Sequence, residues 1–208
     1  MTWTSAVGRA CGALLDSIVR LLALTRINPN ALTLMGLVVN SYAAFLFAYA
    51  NGDNQRRMFF YAGLVIIGSG FFDLVDGRVA RASNQVTRFG GFFDSIVDRY
   101  SDASLFFGLL VFYARGERFF YLVLSALAMI SAIMVSYARA RAESLIPQCK
   151  VGFMERPERL VLLIIGALFN VMAPVLWVIA VLSTVTVIHR ILYTWQHTNK
   201  MDTPARAA

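Results

Sequence analysis

The chain has 208 residues, 58% of them hydrophobic and 15% charged, with a formal net charge of +7 and a mean hydropathy of +0.63. A soluble domain is about half apolar and roughly a quarter charged, and so short a chain has no core large enough to hide the excess. A soluble enzyme, a disordered chain and a disulfide-stapled secreted module are therefore poor fits, and an integral membrane protein is the expected class. Lys and Arg are dispersed between apolar runs rather than gathered in one polar domain, which points to membrane orientation and away from nucleic acid. Cys11, Cys149, His189 and His197 lack metal-ligand spacing, and the cysteines read as small apolar fillers.

No basic leader with a small-residue cleavage site opens the chain, so the first segment is expected to be retained. Ser5 to Leu24 is moderately apolar but carries Arg9, Asp16 and Arg20 on one helical face, which predicts an amphipathic helix lying in the membrane interface. A spanning helix needs roughly 20 mostly apolar residues. Six stretches answer to this: Asn30–Ala50, Met58–Val79, Gly91–Ala114, Phe119–Ala138, Leu160–Asn170 extended backward through the turn at Pro157, and Pro174–Tyr193. With the N-terminus inside, every Lys and Arg except Arg56, Arg57, Arg115 and Arg118 falls at or near one side, which predicts cytoplasmic termini and a cytoplasmic tail over 198–208. The expected architecture is one all-α membrane domain over 1–208, with six transmembrane helices within 30–197 preceded by the amphipathic helix at 5–24.

The chemistry concentrates between Phe71 and Asp102, where Asp73, Asp76, Asp94 and Asp98 interrupt membrane-grade sequence. An aspartate at a helix centre costs about 2.5 to 3.5 kcal/mol on insertion scales, so four together require compensation. Asp73 and Asp76 stand at i, i+3, and Asp94 and Asp98 at i, i+4, so each pair projects from one helical face. The short connection between the two helices makes them antiparallel neighbours and lets the four carboxylates converge. Converging carboxylates repel unless a cation sits among them, and magnesium or manganese is the hard partner such oxygens select, with room for two ions. A proton or ion pathway through a transporter would use the same aspartates. Gly77 and Ala80 keep the adjoining face small, Arg81 supplies a planar cation suited to phosphate, and Gly90 and Gly91 open the next helix without side chains in the way.

These residues form the pattern D-x-x-D-G-x-x-A-R, eight residues, then G-x-x-x-D-x-x-x-D, filled by Asp73, Asp76, Gly77, Ala80, Arg81, Gly90, Asp94 and Asp98. In this the chain resembles the CDP-alcohol phosphotransferases, and the resemblance extends over most of its length. It implies that Asp73, Asp76 and Asp94 bind divalent metals, with Asp98 bridging them or acting as general base. It further implies that Gly77, Ala80, Arg81 and Gly90 shape a CMP and pyrophosphate site, with Asp73 beside it. Pro29-Asn30-Ala31-Leu32-Thr33 is similar to a family element in which Asn30 and Thr33 contact the nucleotide; an ordinary helix start with Pro near its first position reads the same way. A homodimer at the inner membrane, with CDP-diacylglycerol as donor, is implied too. Asp102 lies outside the pattern.

The acceptor alcohol is argued from later residues. Ser136 and Arg139 share one face at the end of the fourth span, Arg156 and Arg159 open the fifth, and Arg190 lies deep in the sixth. Arginines can snorkel to headgroups, but a cluster at one cavity fits a phosphorylated acceptor held by charge-assisted hydrogen bonds. The stretches Ser136–Glu143 and Glu155–Arg159 resemble those of the phosphatidylinositol phosphate synthases of bacteria and their archaeal counterparts, departing from them in Arg139, where lysine is common, and in Pro157. The expected acceptor is inositol phosphate, with glycerol phosphate as the alternative.

Overall fold

The computed structural model describes residues 28–82 and 85–206. The expected amphipathic helix at 5–24 lies outside the described residues, as do the side chains of Asp76 and Ala80. Six helices and no strand occur among the described residues: α1 (Pro29–Tyr49), α2 (Gln55–Ala82), α3 (Arg88–Arg115), α4 (Phe119–Ala142), α5 (Arg156–Leu168) and α6 (Met172–Arg206).

Local chemistry sets the ends. Asn28 caps α1 by accepting the Asn30 N–H at 3.0 Å, and Pro29 occupies the first turn, where its missing donor costs nothing. Thr87 caps α3 by accepting the Gly90 N–H at 2.9 Å. The α3–α4 corner closes through Glu117 at φ 54°, and the α5–α6 corner through Asn170 at φ 56°, both in the left-handed region that reverses a helix. In the α4–α5 loop Gly152 has φ +97°, and a Cβ there would collide with the Thr186 side chain, so only glycine serves.

α1 packs on α2 and α3, α4 on α3 and α6, and α5 on α2 and α6. Their shared core gathers Phe47, Phe59, Leu105, Leu109, Phe112, Leu163, Leu176 and Ile179. Phe59 meets Phe47 and Phe112 edge to face, each at a centroid separation of 4.9 Å. Gly108 lets α3 approach α1 so closely that a Cβ would overlap the Ala44 carbonyl. The outward faces are apolar, as along Leu34, Val38, Tyr42, Phe45 and Tyr49 of α1, all exposed. Such a stripe suits contact with lipid.

α1, α4 and the greater parts of α2 and α6 are long and apolar enough to cross a membrane. The other two depart from the expectation for physical reasons. α3 has the length, but its first half carries Asp94, Asp98, Arg99 and Asp102. α5 does extend backward through Pro157, to Arg156, but with only 13 residues it makes about 20 Å of helix at 1.5 Å per residue. The segment before it is pinned elsewhere: Met154 N–H donates to Thr186 Oγ1 at 3.1 Å, and the Val151 carbonyl accepts from Arg190 Nε at 2.9 Å. α6 runs on through Arg206 where a tail was expected from 198, with Thr194, His197 and Thr198 hydrogen-bonded to carbonyls one turn back.

Candidate active site

α2 and α3 bring their carboxylates together at one end of the bundle, and the N-terminus of α5 drives Arg156 between them. Arg156 Nη1 lies 2.8 Å from Asp73 Oδ2 and 2.9 Å from Asp98 Oδ1, while its Nε donates to Asp102 Oδ1 at 3.3 Å. Asp102, left outside the pattern by sequence, is buried, and its other oxygen lies 2.6 Å from Arg159 Nη2. Arg159 is only 2% exposed and also donates to the Met154 carbonyl. It faces the interior of this network instead of the neighbouring cavity, because Asp102 one turn below Asp98 offers it the only buried counter-charge it touches among the described residues.

On one side of the carboxylates is a cavity of about 260 Å³ lined by Asn30 and Thr33 of α1, Gly77 and Arg81 of α2, and Gly90 and Asp94 of α3, with Gln85 to Thr87 closing it. Three helix segments distant in sequence thus meet at one opening. Pro29 performs its helix-start role, and Asn30 and Thr33 of the same segment line this cavity. Gly90 is tight, since a Cβ would stand 3.0 Å from Thr87 Oγ1 and 3.5 Å from Asn30 Oδ1.

A second cavity, of about 370 Å³, is lined by Ser95 and Arg99 of α3, Ser136, Arg139 and Glu143 at the end of α4, Glu155 and Arg156 at the start of α5, and Arg190 of α6. It brings together Ser136, Arg139, Arg156 and Arg190 but not Arg159. Arg139 Nη1 and Arg190 Nη2 share Glu155 Oε1 at 3.0 and 2.9 Å, and Arg139 Nε donates to Glu143 at 3.1 Å. Arg190 is 2% exposed, with its remaining donors on the carbonyls of Val135 (2.6 Å) and Val151. Burial pushes the Glu143 carboxyl upward, but hydrogen bonds from Arg139 and the Cys149 N–H outweigh it and hold the group below its usual range. Sequence reasoning missed Arg99, Glu143 and Glu155 as cavity residues. The two glutamates stood inside the quoted stretches, whereas Arg99 carried no signal beyond its place next to Asp98.

The donor set suits a hard divalent ion. Carboxylate oxygens from two helices already converge on a single point, the Arg156 nitrogen, at 2.8 and 2.9 Å, and a magnesium or manganese ion would draw such oxygens in to roughly 2.1 Å. Among the described residues no three acidic, histidine or cysteine side chains are assembled as a ready cage; the Asp76 side chain is not among them.

Known proteins resemble the chain over most of its length. The model of the CDP-alcohol phosphatidyltransferase family matches residues 26–192. The archaetidylinositol phosphate synthase of Pyrococcus horikoshii is 36% identical over 179 residues, 85% of this chain and 88% of that protein. The phosphatidylinositol phosphate synthase of Streptomyces avermitilis is 33% identical over 195 residues, 87% of this chain and 78% of that one. The crystal structure of Mycobacterium tuberculosis phosphatidylinositol phosphate synthase with CDP-DAG bound superposes with a TM-score of 0.79 at 28% identity, covering 88% of this chain and 94% of that chain. The same enzyme in complex with manganese and citrate superposes with a TM-score of 0.75. The chain therefore belongs to the CDP-alcohol phosphatidyltransferase family and is a multi-pass membrane phosphatidyltransferase.

Proposed function

We propose that this enzyme transfers the phosphatidyl group of CDP-diacylglycerol to inositol phosphate, releasing CMP and forming phosphatidylinositol phosphate. The observation that carries the reading is that one acidic turn of α3 contributes to two cavities: Asp94 lines the first, Ser95 and Arg99 line the second, and Arg156, which also lines the second, lies 2.9 Å from Asp98. Donor and acceptor can thus reach the same group of carboxylates from separate cavities. The first cavity, with Asn30, Thr33, Gly77, Arg81 and Gly90, takes the CDP moiety, and Ala80 belongs to the same family pattern. The second, with Ser136, Arg139, Arg156 and Arg190, takes the phosphate of the acceptor. Its four arginines outnumber its two glutamates, which fits a dianion better than a neutral alcohol. The names of the relatives favour inositol phosphate over glycerol phosphate.

Asp73, Asp76, Asp94 and Asp98 hold the divalent metal, Mg²⁺ or Mn²⁺, in a site with capacity for two ions. When bound, the metal supplies positive charge to the pyrophosphate and to the departing CMP. Arg81 orients the donor phosphates. Asp98 accepts the proton of the acceptor hydroxyl. The hydroxyl oxygen bonds to the lipid-bearing phosphorus as the bond from that phosphorus to the CMP oxygen breaks, so the phosphatidyl group moves directly. Among the described residues no nucleophile with an adjoining base stands out for a covalent route.

All six helices are read as membrane-embedded parts of a single domain. Arg78, Arg81, Arg139 and Arg156 mark the site end as cytoplasmic, and Arg56, Arg57, Arg115 and Arg118 the opposite face of the inner membrane. The working unit is a homodimer, as the family likeness implies. Purified protein with CDP-diacylglycerol, a divalent ion and a panel of free and phosphorylated alcohols tests the reading through CMP release. Inositol phosphate is expected to be turned over fastest, and EDTA to stop the reaction. Preference for glycerol phosphate would reassign the acceptor, and no release with any alcohol would refute the proposal.

A further inference from the structure

Arg156 belongs at once to the acidic cluster and to the arginine-lined cavity. Its Nη1 lies at the point where Asp73 and Asp98 converge, at 2.8 and 2.9 Å. A divalent ion drawing those same oxygens to roughly 2.1 Å cannot share that point with a guanidinium, for steric reasons and because both are cations. The rest of the side chain is anchored differently. Nε donates to Asp102 Oδ1 at 3.3 Å, and Asp102 is itself held by the buried Arg159 at 2.6 Å, away from the point of convergence. Arg156 therefore has one contact that a metal must break and another that it need not. It is 20% exposed and opens onto the second cavity, so there is space for it to move into.

We infer that Arg156 is a counter-ion that exchanges with the metal: it neutralises Asp73 and Asp98 in the metal-free enzyme, and metal binding releases its guanidinium into the acceptor cavity, where it joins Arg139 and Arg190 on the acceptor phosphate. The inference rests on the proposed reading of the acidic cluster as a metal site. It makes metal and acceptor binding cooperative, and reciprocity requires each to strengthen the other by the same factor. The carboxylates are never left together without a cation, which gives a reason for an arginine so near a metal site. An acceptor arriving before the metal meets a cavity short of one of its arginines.

Mn²⁺ binding to the purified full-length protein, followed by electron paramagnetic resonance, reads the exchange without turnover. Arg156→Gln removes the competing cation and is expected to bind Mn²⁺ about fivefold or more tightly than the unsubstituted protein. Arg156→Lys keeps a charge able to reach both carboxylates and is expected to stay near the unsubstituted affinity. Equal or weaker Mn²⁺ binding by Arg156→Gln, or equal tightening in both variants, overturns the inference. Calorimetric titration with inositol phosphate provides an arm that needs no variant. Saturating Mn²⁺ is expected to tighten acceptor binding to the unsubstituted protein by about fivefold, and Arg156→Gln is expected to lose most of that gain. An acceptor affinity indifferent to Mn²⁺ overturns the coupling. CMP release measured in the same buffer separates the failures: an enzyme that releases CMP yet shows no Arg156 effect refutes the exchange alone, whereas a protein that binds no Mn²⁺ refutes the metal assignment as well.

Discussion

The two halves of α3 obey opposite rules. From Leu105 to Phe112 the helix buries Leu105, Phe106, Leu109 and Phe112 in the shared core, against Phe59 and its aromatic neighbours. From Asp94 to Asp102 the same helix presents carboxylates to arginines drawn from α5. The first half is governed by apolar contact, in which truncating a large side chain costs about 2–5 kcal/mol. The second half consists of charges whose desolvation offsets most of their attraction, so that its net contribution to stability is small while the loss of one partner is severe. One end of the molecule is built to stay together, and the other to hold a fixed arrangement of charge.

Four substitutions test this contrast. The largest effect is expected from Asp98→Asn, which removes the proposed proton acceptor with almost no change of shape. CMP release should fall by about two orders of magnitude or more, with thermal stability nearly unchanged; near-normal turnover would show that another group takes the proton. Asp102→Ala should lower stability by about 3–5 kcal/mol, because Arg159 is left buried with no partner charge. A melting temperature within a degree or two of the original would remove Asp102 from the supporting network. Gly108→Ala, at the close approach of α1 and α3, should cost about 1–3 kcal/mol by overpacking and leave the acceptor KM unchanged, keeping the two halves of α3 experimentally separate. The smallest effect is expected from Arg139→Gln, whose side chain is partly exposed. It should raise the acceptor KM about tenfold, equivalent to about 1.4 kcal/mol, with the lipid-donor KM unmoved; equal rises in both would point to a general distortion of the cavity.

Much of this contrast is legible in the sequence for local reasons. The i, i+3 and i, i+4 spacings dictate which aspartates share a face whatever the helices pack against, and the alternation of apolar runs with turn residues marks the helices to within a few residues over most of their length. What local pattern leaves open is decided where distant groups intervene. α5 stops at Arg156 because Thr186 and Arg190 of α6 hold the preceding loop in another path. Arg156 and Arg159 look equivalent in sequence, three residues apart, yet one bridges Asp73 and Asp98 while the other pairs with Asp102 alone. Glu155 likewise becomes the junction of Arg139 and Arg190 only when three helices meet.

The amino-acid sequence by itself determined that the chain is membrane-embedded and helical, and that its carboxylates stand in two face-sharing pairs beside glycines and an arginine. Such properties depend on composition and on the pitch of a single helix. Which cation reaches which carboxylate, and which residues of α3 line each cavity, were decided only by the tertiary structure. Electrostatic partners are chosen by distances of a few ångströms between segments tens of residues apart, and no local periodicity encodes those distances.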